Sequence, residues 1–339
     1  MPVANEEIVI RGSIRLEEGQ QRLLRLLSET AEYLSGEDLG ERLGLSRTAI
    51  WKRIERLREL GYQVEGSPRR GYHLAAGQDL LWSPNLLVDL PLQRLRGPVH
   101  HFVSLPSTND AAKELARRGA PEGTVCLAET QTAGRGRLGR QWESPLNTGI
   151  YLSLILRPPL PPLELPKLTL TAAVAVVEAI HQACGVATGI KWPNDIIFAG
   201  KKLGGILTEM ETESDAMSHV VLGVGLNVNT AVFPEPLREI AISLASTGQT
   251  YSRSAIVRAF LVALDRLYGR FLRQEFPAIL EQWRQHAVML GRMVTIRQGP
   301  VTITGLATDV ALDGALLLVQ PDGSTVRVLS GEIQKASYT

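Results

Sequence analysis

The sequence predicts an α+β multidomain protein in three parts. Residues 18–77 carry three short helical patterns followed by a basic hairpin pattern, which is typical of a winged helix-turn-helix. Strand and helix patterns alternate from residue 78 to residue 288, which predicts a central α/β domain. In residues 289–339 short apolar runs are separated by dense turn signals, which predicts a small all-β domain.

Length and composition limit the classes of function. The chain has 339 residues, 44% of them hydrophobic, which is enough for two or three domains with real cores. With a net charge of +1, the protein as a whole does not attract nucleic acid or membranes electrostatically. Any positively charged surface that binds them must therefore be a local patch. The two cysteines, Cys126 and Cys184, form neither a disulfide framework nor a metal-binding pair, which favours a reducing compartment.

Nothing in the sequence predicts secretion or membrane insertion. The N-terminus carries Glu6 and Glu7 and lacks the basic and apolar regions of a signal peptide. The longest apolar stretch, around residues 168–180, is too short to span a bilayer. We therefore expect a cytoplasmic protein without a membrane partner.

The first 60 residues predict a short tail and then three helices. Residues 1–17 have the composition of a tail, and helical patterns follow between residues 21 and 60. Ser35 and Ser46 stand where the N-caps of the second and third helices are expected, and Gly44 ends the second helix. The tight turn between these helices predicts a helix-turn-helix.

The third helix and the hairpin carry a local positive charge. Between residues 46 and 73, seven lysine and arginine side chains stand against three glutamates, a local excess of +4. A helix fits the major groove, where arginine and lysine read guanine edges, and a basic hairpin tip suits backbone contact. The alternative is a protein-interaction domain with a solvated basic face. The candidate DNA-binding residues are Ser46, Arg47, Thr48, Trp51, Lys52, Arg69 and Arg70.

The remaining elements are predicted from their periodicity. Residues 75–98 are a connection rich in proline and leucine. Strands are expected at residues 124–128, 150–156 and 219–229, and helices at residues 110–118, 168–182 and 253–274. These elements would form the sheet and the covering helices of the central domain.

The most informative motif is the glycine–arginine run at residues 134–142, which contains the pattern G-x-G-x-x-G. A dinucleotide-binding turn requires a helix that starts inside this pattern, but the turn-forming residues 144–147 follow instead. A glycine loop with several guanidinium groups suits a flap that closes over phosphates and a carboxylate. The alternative is a solvated basic loop, for which Trp142 would be an unusual residue.

Three further clusters offer ligand-binding groups. Residues 107–109 present three small hydrogen-bonding side chains, which also suit a helix N-cap. Residues 191–195 combine an amide, a carboxylate and an indole, and the lysines of residues 200–207 precede two glycines that let the backbone approach a ligand. Residues 223–227 place glycines within a strand.

In their order and spacing these motifs resemble those of the biotin–protein ligases. The resemblance covers nearly all of residues 20–339 and is greatest to the bifunctional bacterial form, which also represses transcription of biotin genes. It implies a mixed sheet in the central ligase domain and an SH3-like β-barrel at the C-terminus. It also implies ATP-dependent conversion of biotin to biotinyl-5′-AMP, then transfer of biotin to a lysine of a biotin carboxyl carrier domain.

The resemblance also implies roles for single residues. Arg137 and Lys202 would be catalytic, by offsetting the charge of the carboxylate and the α-phosphate. Mg²⁺ would accompany ATP, and no metal ligand set is expected from the protein, although Asp195 is a candidate organiser. Biotin would be bound by Ser107, Thr108, Asn109, Gln131, Arg135, Gly136, Arg137, Lys202 and Gly205, and ATP or the adenylate by Arg137, Trp142, Asn194, Asp195 and Asn227.

The implied partners are the carrier protein, operator DNA and a second copy of the chain in a ligand-promoted homodimer. Two other functions remain open from the sequence. The chain could be a lipoate or octanoyl ligase-like enzyme, for which Cys184 would be the candidate thiol although no basic cluster adjoins it. It could also be a catalytically inactive regulator that senses biotin, although the presence of Arg137 and Lys202 argues against this.

Overall fold

The computed structural model describes residues 10–75, 79, 81, 86–213 and 216–336. The N-terminal part, here called the reading head, has three helices and a hairpin, as predicted. They are α1 (Glu18–Ser28), α2 (Gly36–Leu43), α3 (Arg47–Glu59), β1 (Val64–Ser67) and β2 (Gly71–Leu74). The hydroxyl of Ser35 accepts a hydrogen bond from the amide of Asp38, and that of Ser46 accepts one from Ala49, so both predicted N-caps are confirmed.

The central domain is built on a seven-stranded mixed sheet. Its strands are β3 (Val99–Phe102), β4 (Val125–Ala128), β5 (Gly149–Leu156), β6 (Gly189–Lys191), β7 (Asp195–Phe198), β8 (Lys201–Glu213) and β9 (Ala216–Asn227). The spatial order is β3-β4-β5-β9-β8-β7-β6, with β3 and β4 parallel and every other pair antiparallel. The expected mixed sheet is therefore present.

Helices cover both faces of this sheet, and β5 shows why. Leu152 and Leu154 point to the face that packs against α5 (Leu165–Cys184), α6 (Arg253–Leu272) and α7 (Phe276–His286). Tyr151 and Ile155 point to the opposite face, which is covered by α4 (Thr108–Arg117). This alternation is the period of two expected of a strand. It places Ser153, the one serine of this apolar strand, on the face of α4.

The C-terminal part is a five-stranded antiparallel sheet. Its strands are β10 (Arg292–Gln298), β11 (Val301–Val310), β12 (Leu316–Val319), β13 (Thr325–Val328) and β14 (Glu332–Ala336), in the order β13-β12-β11-β10-β14. Val294 and Leu316 belong to the same continuous hydrophobic core as α5 and α6. The buried indole of Trp192 also donates to the carbonyl oxygen of Gly314 at 3.0 Å. The small β domain is thus packed firmly on the central domain.

The described part of the N-terminal segment differs from the predicted tail. Ile10 is buried against the residues beneath α4, and Leu16 is buried in the core of the reading head. Between them, Ile14 forms an antiparallel bridge to Ser104. Residues 10–16, here called the strap, therefore join the reading head to the central domain. The sequence prediction failed here because the burial depends on contacts about 90 residues away and not on local periodicity.

A buried guanidinium organises the junction between the parts. Arg253, at the start of α6, has no exposed surface and pairs with Asp79 at 2.8 Å and Glu129 at 2.7 Å. His101 lies 3.0 Å from the other oxygen of Glu129. Burial alone would raise the pKa of the Glu129 carboxyl, but His101 and Arg253 bring that pKa below its ordinary value.

We expect Arg253→Ala to lower the free energy of unfolding by about 3–5 kcal/mol, because the buried carboxylate of Glu129 and the half-buried carboxylate of Asp79 then lose their counter-charge. Chemical denaturation of the full chain measures this. The matched control is Arg266→Ala, which removes a surface ion pair to Glu178 from the same helix and should change stability by less than about 1 kcal/mol. Equal losses in the two variants would contradict a structural role for the buried charge network.

Candidate active site

One cavity of about 650 Å³ lies at the junction of the central sheet, α4 and the C-terminal sheet. Its walls bring together every residue that the sequence predicts for biotin or nucleotide binding. These are Ser107, Thr108, Asn109, Gln131, Arg135, Gly136, Arg137, Trp142, Asn194, Asp195, Lys202, Gly205 and Asn227. Residues from six separate segments thus meet in one place, although which ligand atom each of them contacts stays a prediction.

The glycine–arginine loop forms one wall of the cavity. Its base is closed by the amide of Gly136, which donates to the carbonyl of Arg140 at 2.7 Å, and by a 2.9 Å bond from Trp142 to Gly134. Only a short 3-10 turn, Arg137–Gly139, lies inside the loop, and no α-helix follows. A dinucleotide-binding turn is therefore excluded, as predicted.

Three contacts hold this loop against the rest of the protein. Arg135 pairs with Asp110 on α4, and Arg140 pairs with Glu332 on β14. Between them, the guanidinium of Arg137 donates to the side-chain oxygen of Asn194 at 3.0 Å. The loop therefore lies closed over the cavity, held by α4 on one side and the C-terminal sheet on the other.

The cavity has a cationic end. Burial lowers the pKa of the Arg137 guanidinium, while the nearby carboxylates of Asp195 and Glu332 oppose that shift. Lys202 lies with its Nζ 2.6 Å from Asp195. Lys191, which sequence analysis did not select, also lines the cavity, and burial lowers its pKa. These cations suit a ligand that carries several negative charges.

Glycines allow the indole of Trp142 to lie close to the sheet. A Cβ atom on Gly225 would stand 2.7 Å from the indole ring, which is closer than van der Waals contact permits. The Nζ of Lys202 lies 5.6 Å from the centre of the same ring. The arrangement leaves an aromatic face beside a cation, which suits a purine base next to its phosphates.

The other end of the cavity is neutral and polar. Gln131 accepts a hydrogen bond from the backbone amide of Thr108 at 2.9 Å and donates one to Ser144 at 3.0 Å. Ser153 lies behind Thr108, with its hydroxyl oxygen 2.8 Å from that of Thr108. Sequence analysis missed Ser144 and Ser153, although a lone serine in the apolar strand β5 is a visible signal. It also missed Glu332, for which the sequence gives no signal.

The amides of Asn194 and Asn227 are held by the backbone. Asn194 donates to the carbonyl of Ile206 at 2.9 Å, and Asn227 donates to that of Ile242 at 3.2 Å. Both side chains are buried at the wall of the cavity. The side-chain oxygens of both residues therefore point away from the carbonyls of Ile206 and Ile242. The side-chain oxygen of Asn194 accepts a hydrogen bond from Arg137.

The candidate DNA-binding residues lie apart from this cavity, on the reading head. Ser46, Arg47, Thr48, Trp51, Lys52, Arg69 and Arg70 are all exposed. A groove of about 1000 Å³ runs between the helices and the hairpin and is lined by Arg47, Trp51 and Arg69. Trp51 has half of its surface exposed, which is unusual for a residue this apolar.

Local pairing separates the basic side chains of the reading head into two sets. Arg56 and Arg58 pair with glutamates one helical turn away, and Arg70 stacks on the ring of Tyr33. Within the described residues, no ion pair is formed by the exposed side chains of Arg47, Lys52 and Arg69 or by the half-buried Arg53. The three exposed side chains therefore offer the most available positive charge on this surface.

The described residues contain neither a cluster of metal-ligating side chains nor a membrane-spanning helix. No three His, Cys, Asp or Glu side chains stand close enough together there to hold a metal ion. None of the helices in the described ranges is long and apolar enough to cross a membrane.

Three family profiles match the chain in the order of its structural parts. The profile of the HTH domain matches residues 20–73, and that of the Biotin/lipoate A/B protein ligase family matches residues 101–227. The profile of the Biotin protein ligase C terminal domain matches residues 289–335. The catalytic profile ends at Asn227, the last residue of β9 and part of the cavity wall.

Similar proteins share this arrangement over almost their whole length. The bifunctional ligase/repressor BirA of Bacillus subtilis is 39% identical over 316 residues, which are 92% of this chain and 97% of that protein. The same-named protein of Escherichia coli is 32% identical and covers 93% of this chain and 97% of its own length. A solved biotin protein ligase from Aquifex aeolicus, in complex with biotin and ATP, has a TM-score of 0.61 and 29% identity.

The Aquifex match covers 70% of this chain and 99% of that one, whereas the two bifunctional relatives align over nearly all of both chains. The segments of the reading head, the central domain and the C-terminal sheet therefore all lie within the length matched by the bifunctional relatives. The chain belongs to the family of the bifunctional biotin ligase/repressors.

Proposed function

We propose that this protein activates biotin with ATP, transfers it to a lysine of a biotin carboxyl carrier domain, and represses biotin genes as a cytoplasmic DNA-binding protein. The main support for the enzymatic part of this proposal is the cavity, which has one neutral end and one cationic end. Its neutral end holds Thr108 and Gln131, and its cationic end holds Arg137 and Lys202. A ligand with a ureido ring at one end and a carboxylate at the other fits this distribution of charge.

In the first step, an oxygen of the biotin carboxylate attacks the α-phosphorus of ATP. A mixed-anhydride (acyl phosphate) bond forms between biotin and AMP, and the phosphoanhydride bond to the departing pyrophosphate breaks. Both reactants are negative, so their approach requires fixed positive charge at the reacting atoms. Arg137 and Lys202 supply it, and the closed loop keeps water from the reactive product.

In the second step, the amine of the acceptor lysine attacks the acyl carbon of biotin. The bond to AMP breaks, AMP leaves with the bonding electrons, the attacking nitrogen releases a proton to solvent, and biotin is left as an amide of that lysine. The charge that builds on the departing phosphate is of the same sign as in the first step, so the same two cations serve both steps. The proposed acceptor reaches the acyl carbon while Trp142 and Asn194 hold the nucleotide.

Mg²⁺ fits this site as the ion carried by ATP. It prefers oxygen ligands and commonly uses one or two carboxylates together with the phosphates of its nucleotide. Asp195 lines the cavity 2.6 Å from Lys202 and is the carboxylate that would hold it. The ion would supply charge neutralisation at the phosphates.

The alternative enzymes fit the structure less well. Cys184, the candidate thiol of an octanoyl transferase, lies at the end of α5 and not in the cavity wall. Burial raises the pKa of its thiol to about 11, which opposes formation of a thiolate. An inactive sensor would have no need for Arg137 and Lys202 together at the cationic end.

We expect Lys202→Ala to keep the fold and to lower adenylate formation by a factor on the order of 10²–10³, because a charge-stabilising donor is lost. Pyrophosphate release with biotin and ATP measures the rate. Lys201→Ala is the matched control, because the amine of Lys201 lies outside the cavity and donates to the carbonyl of Arg238. Unchanged turnover in Lys202→Ala would remove Lys202 from the mechanism.

The proposed DNA-binding surface has its own test. We expect Lys52→Ala to weaken binding to a random-sequence duplex and to lower the slope of log affinity against log salt by about one, as for a lost phosphate contact. Arg22→Ala removes an exposed charge from α1, outside the groove, and should leave that slope unchanged. If both variants behave alike, α3 is not the DNA-binding helix.

The ligand-promoted dimer is the remaining part of the proposal. The tip of the arginine loop is exposed, with Leu138 76% accessible, so a loop fixed by ligand would present a constant surface to a second copy. A dimer covers two half-sites, so dimerisation and DNA binding are thermodynamically linked.

We therefore expect biotin with ATP to increase operator affinity by about 5–150-fold, the range of a typical coupling free energy. Sedimentation and DNA binding, each with and without the two ligands, measure the effect. Biotin with a non-hydrolysable ATP analogue is the control, since it forms no adenylate. The same oligomeric state and affinity in every condition would mean a ligase without a ligand-controlled repressor.

A further inference from the structure

We propose that a chain of hydrogen bonds from the half-buried Glu209 through the buried Asn109 and Ser153 fixes the hydroxyl of Thr108 as an acceptor for a ligand N–H. Glu209 and Ser153 would thus be positioning residues that set the specificity of the neutral end of the cavity. The inference rests on the proposed function, because it explains how that end selects a ureido ring.

The chain begins at a carboxylate on β8. Glu209 lies 2.5 Å from the amine of Lys113 and accepts a hydrogen bond from the side-chain amide of Asn109 at 2.7 Å. The same amide nitrogen lies 3.3 Å from the carbonyl oxygen of Leu207. Both of these partners can only accept. The amide of Asn109 is therefore fixed in one orientation, with its nitrogen toward β8 and its oxygen toward β5.

The second link is Ser153, which is fully buried on β5. Its hydroxyl oxygen lies 2.6 Å from the side-chain oxygen of Asn109 and 2.8 Å from the hydroxyl of Thr108. A serine has a single proton, and an amide oxygen cannot donate. The proton of Ser153 therefore goes to Asn109, and Ser153 has only lone pairs left for Thr108.

The third link is Thr108 itself. Its hydroxyl lies 2.8 Å from Ser153 and 3.1 Å from the amide oxygen of Gln131. That amide oxygen is already identified as an acceptor, because the backbone N–H of Thr108 donates to it at 2.9 Å. The proton of Thr108 thus goes to one of two protein acceptors. Only lone pairs face the cavity, so Thr108 binds a ligand N–H and rejects a ligand acceptor.

The strand beside Ser153 makes room for this chain. Gly223 on β9 is the register partner of Ser153, and a Cβ atom there would stand 2.2 Å from the side-chain oxygen of Asn109. Any larger residue would displace Asn109 and interrupt the chain. The three strands β5, β9 and β8 together position one hydroxyl of α4.

The test compares three ligands: biotin, dethiobiotin and a cyclic carbonate analogue in which oxygen replaces both ring N–H groups. In the full chain, Glu209→Gln removes the nearer of the two groups that can only accept from the Asn109 amide and leaves the carbonyl of Leu207 at 3.3 Å. When Asn109 reverses, Ser153 donates to Thr108, which is left with Gln131 as its one protein acceptor. We expect the preference for biotin over the carbonate analogue to fall about tenfold, equivalent to roughly one buried hydrogen bond. The preference for biotin over dethiobiotin, which keeps both N–H groups, should not change.

Lys113→Gln is the matched control, since it removes the ion pair but leaves the carboxylate of Glu209 as the acceptor. It should keep the wild-type preference, and Ser153→Ala, a second disruption, should lower it. If Glu209→Gln and Ser153→Ala lower the affinity for all three ligands equally, the chain is merely structural and the inference is wrong. Failure of the wild type to bind biotin would instead refute the proposed function.

One measurement needs no biotin. The side-chain amide protons of Asn109 should exchange slowly with solvent in the wild type and in Lys113→Gln, and faster in Glu209→Gln, as seen by NMR of the ligand-free protein. Fast exchange in the wild type would overturn the fixed orientation of Asn109 whatever the protein binds.

Discussion

The burial of one guanidinium constrains the rest of the structure. Arg253 binds Asp79 in the connection after the reading head, Glu129 at the end of β4 and the carbonyl oxygen of Gly149 at the start of β5. An unpaired charge in this place would be strongly unfavourable, so all of its partners must be present together. Glu129 is followed at once by the segment that carries Gln131 and the arginine loop. The position of the loop therefore depends on the same buried charge that joins the domains.

The cavity shows how distant parts of a chain form a site for a ligand that is neutral and polar at one end and negatively charged at the other. The neutral end is supported by strands and by the N-terminus of α4, which are rigid and buried. The cationic end combines Lys202 of β8 with the arginine loop, whose anchors, Asp110 and Glu332, are both half-buried. Ion pairs at such positions are individually weak. The recognition end is thus fixed, whereas the loop at the cationic end is held by weaker contacts and is free to open.

Sequence reasoning succeeded where the determining contacts are local. The caps at Ser35 and Ser46 join atoms three residues apart, and the cavity motifs are contiguous runs. It failed where contacts join distant segments. Arg140 and its partner Glu332 are 192 residues apart in the sequence, and Ser153 and its partner Asn109 are 44 residues apart. The inward orientation of Ser153 follows from the period of β5, but its partner depends on how α4 lies on the sheet.

The strap has a geometric consequence for DNA recognition. Ile14 ties the chain before the reading head to Ser104, and the carbonyl of Gly61, after α3, lies 3.5 Å from the side-chain amide of Asn147. A rigid body held at two points turns only about the line between them. In the proposed dimer, the distance between the two copies of α3 would then depend on the central domains and on that one rotation, and not on a flexible linker. The number of base pairs between half-sites would become a property of the enzyme surface, so an operator with altered spacing would require a changed catalytic domain.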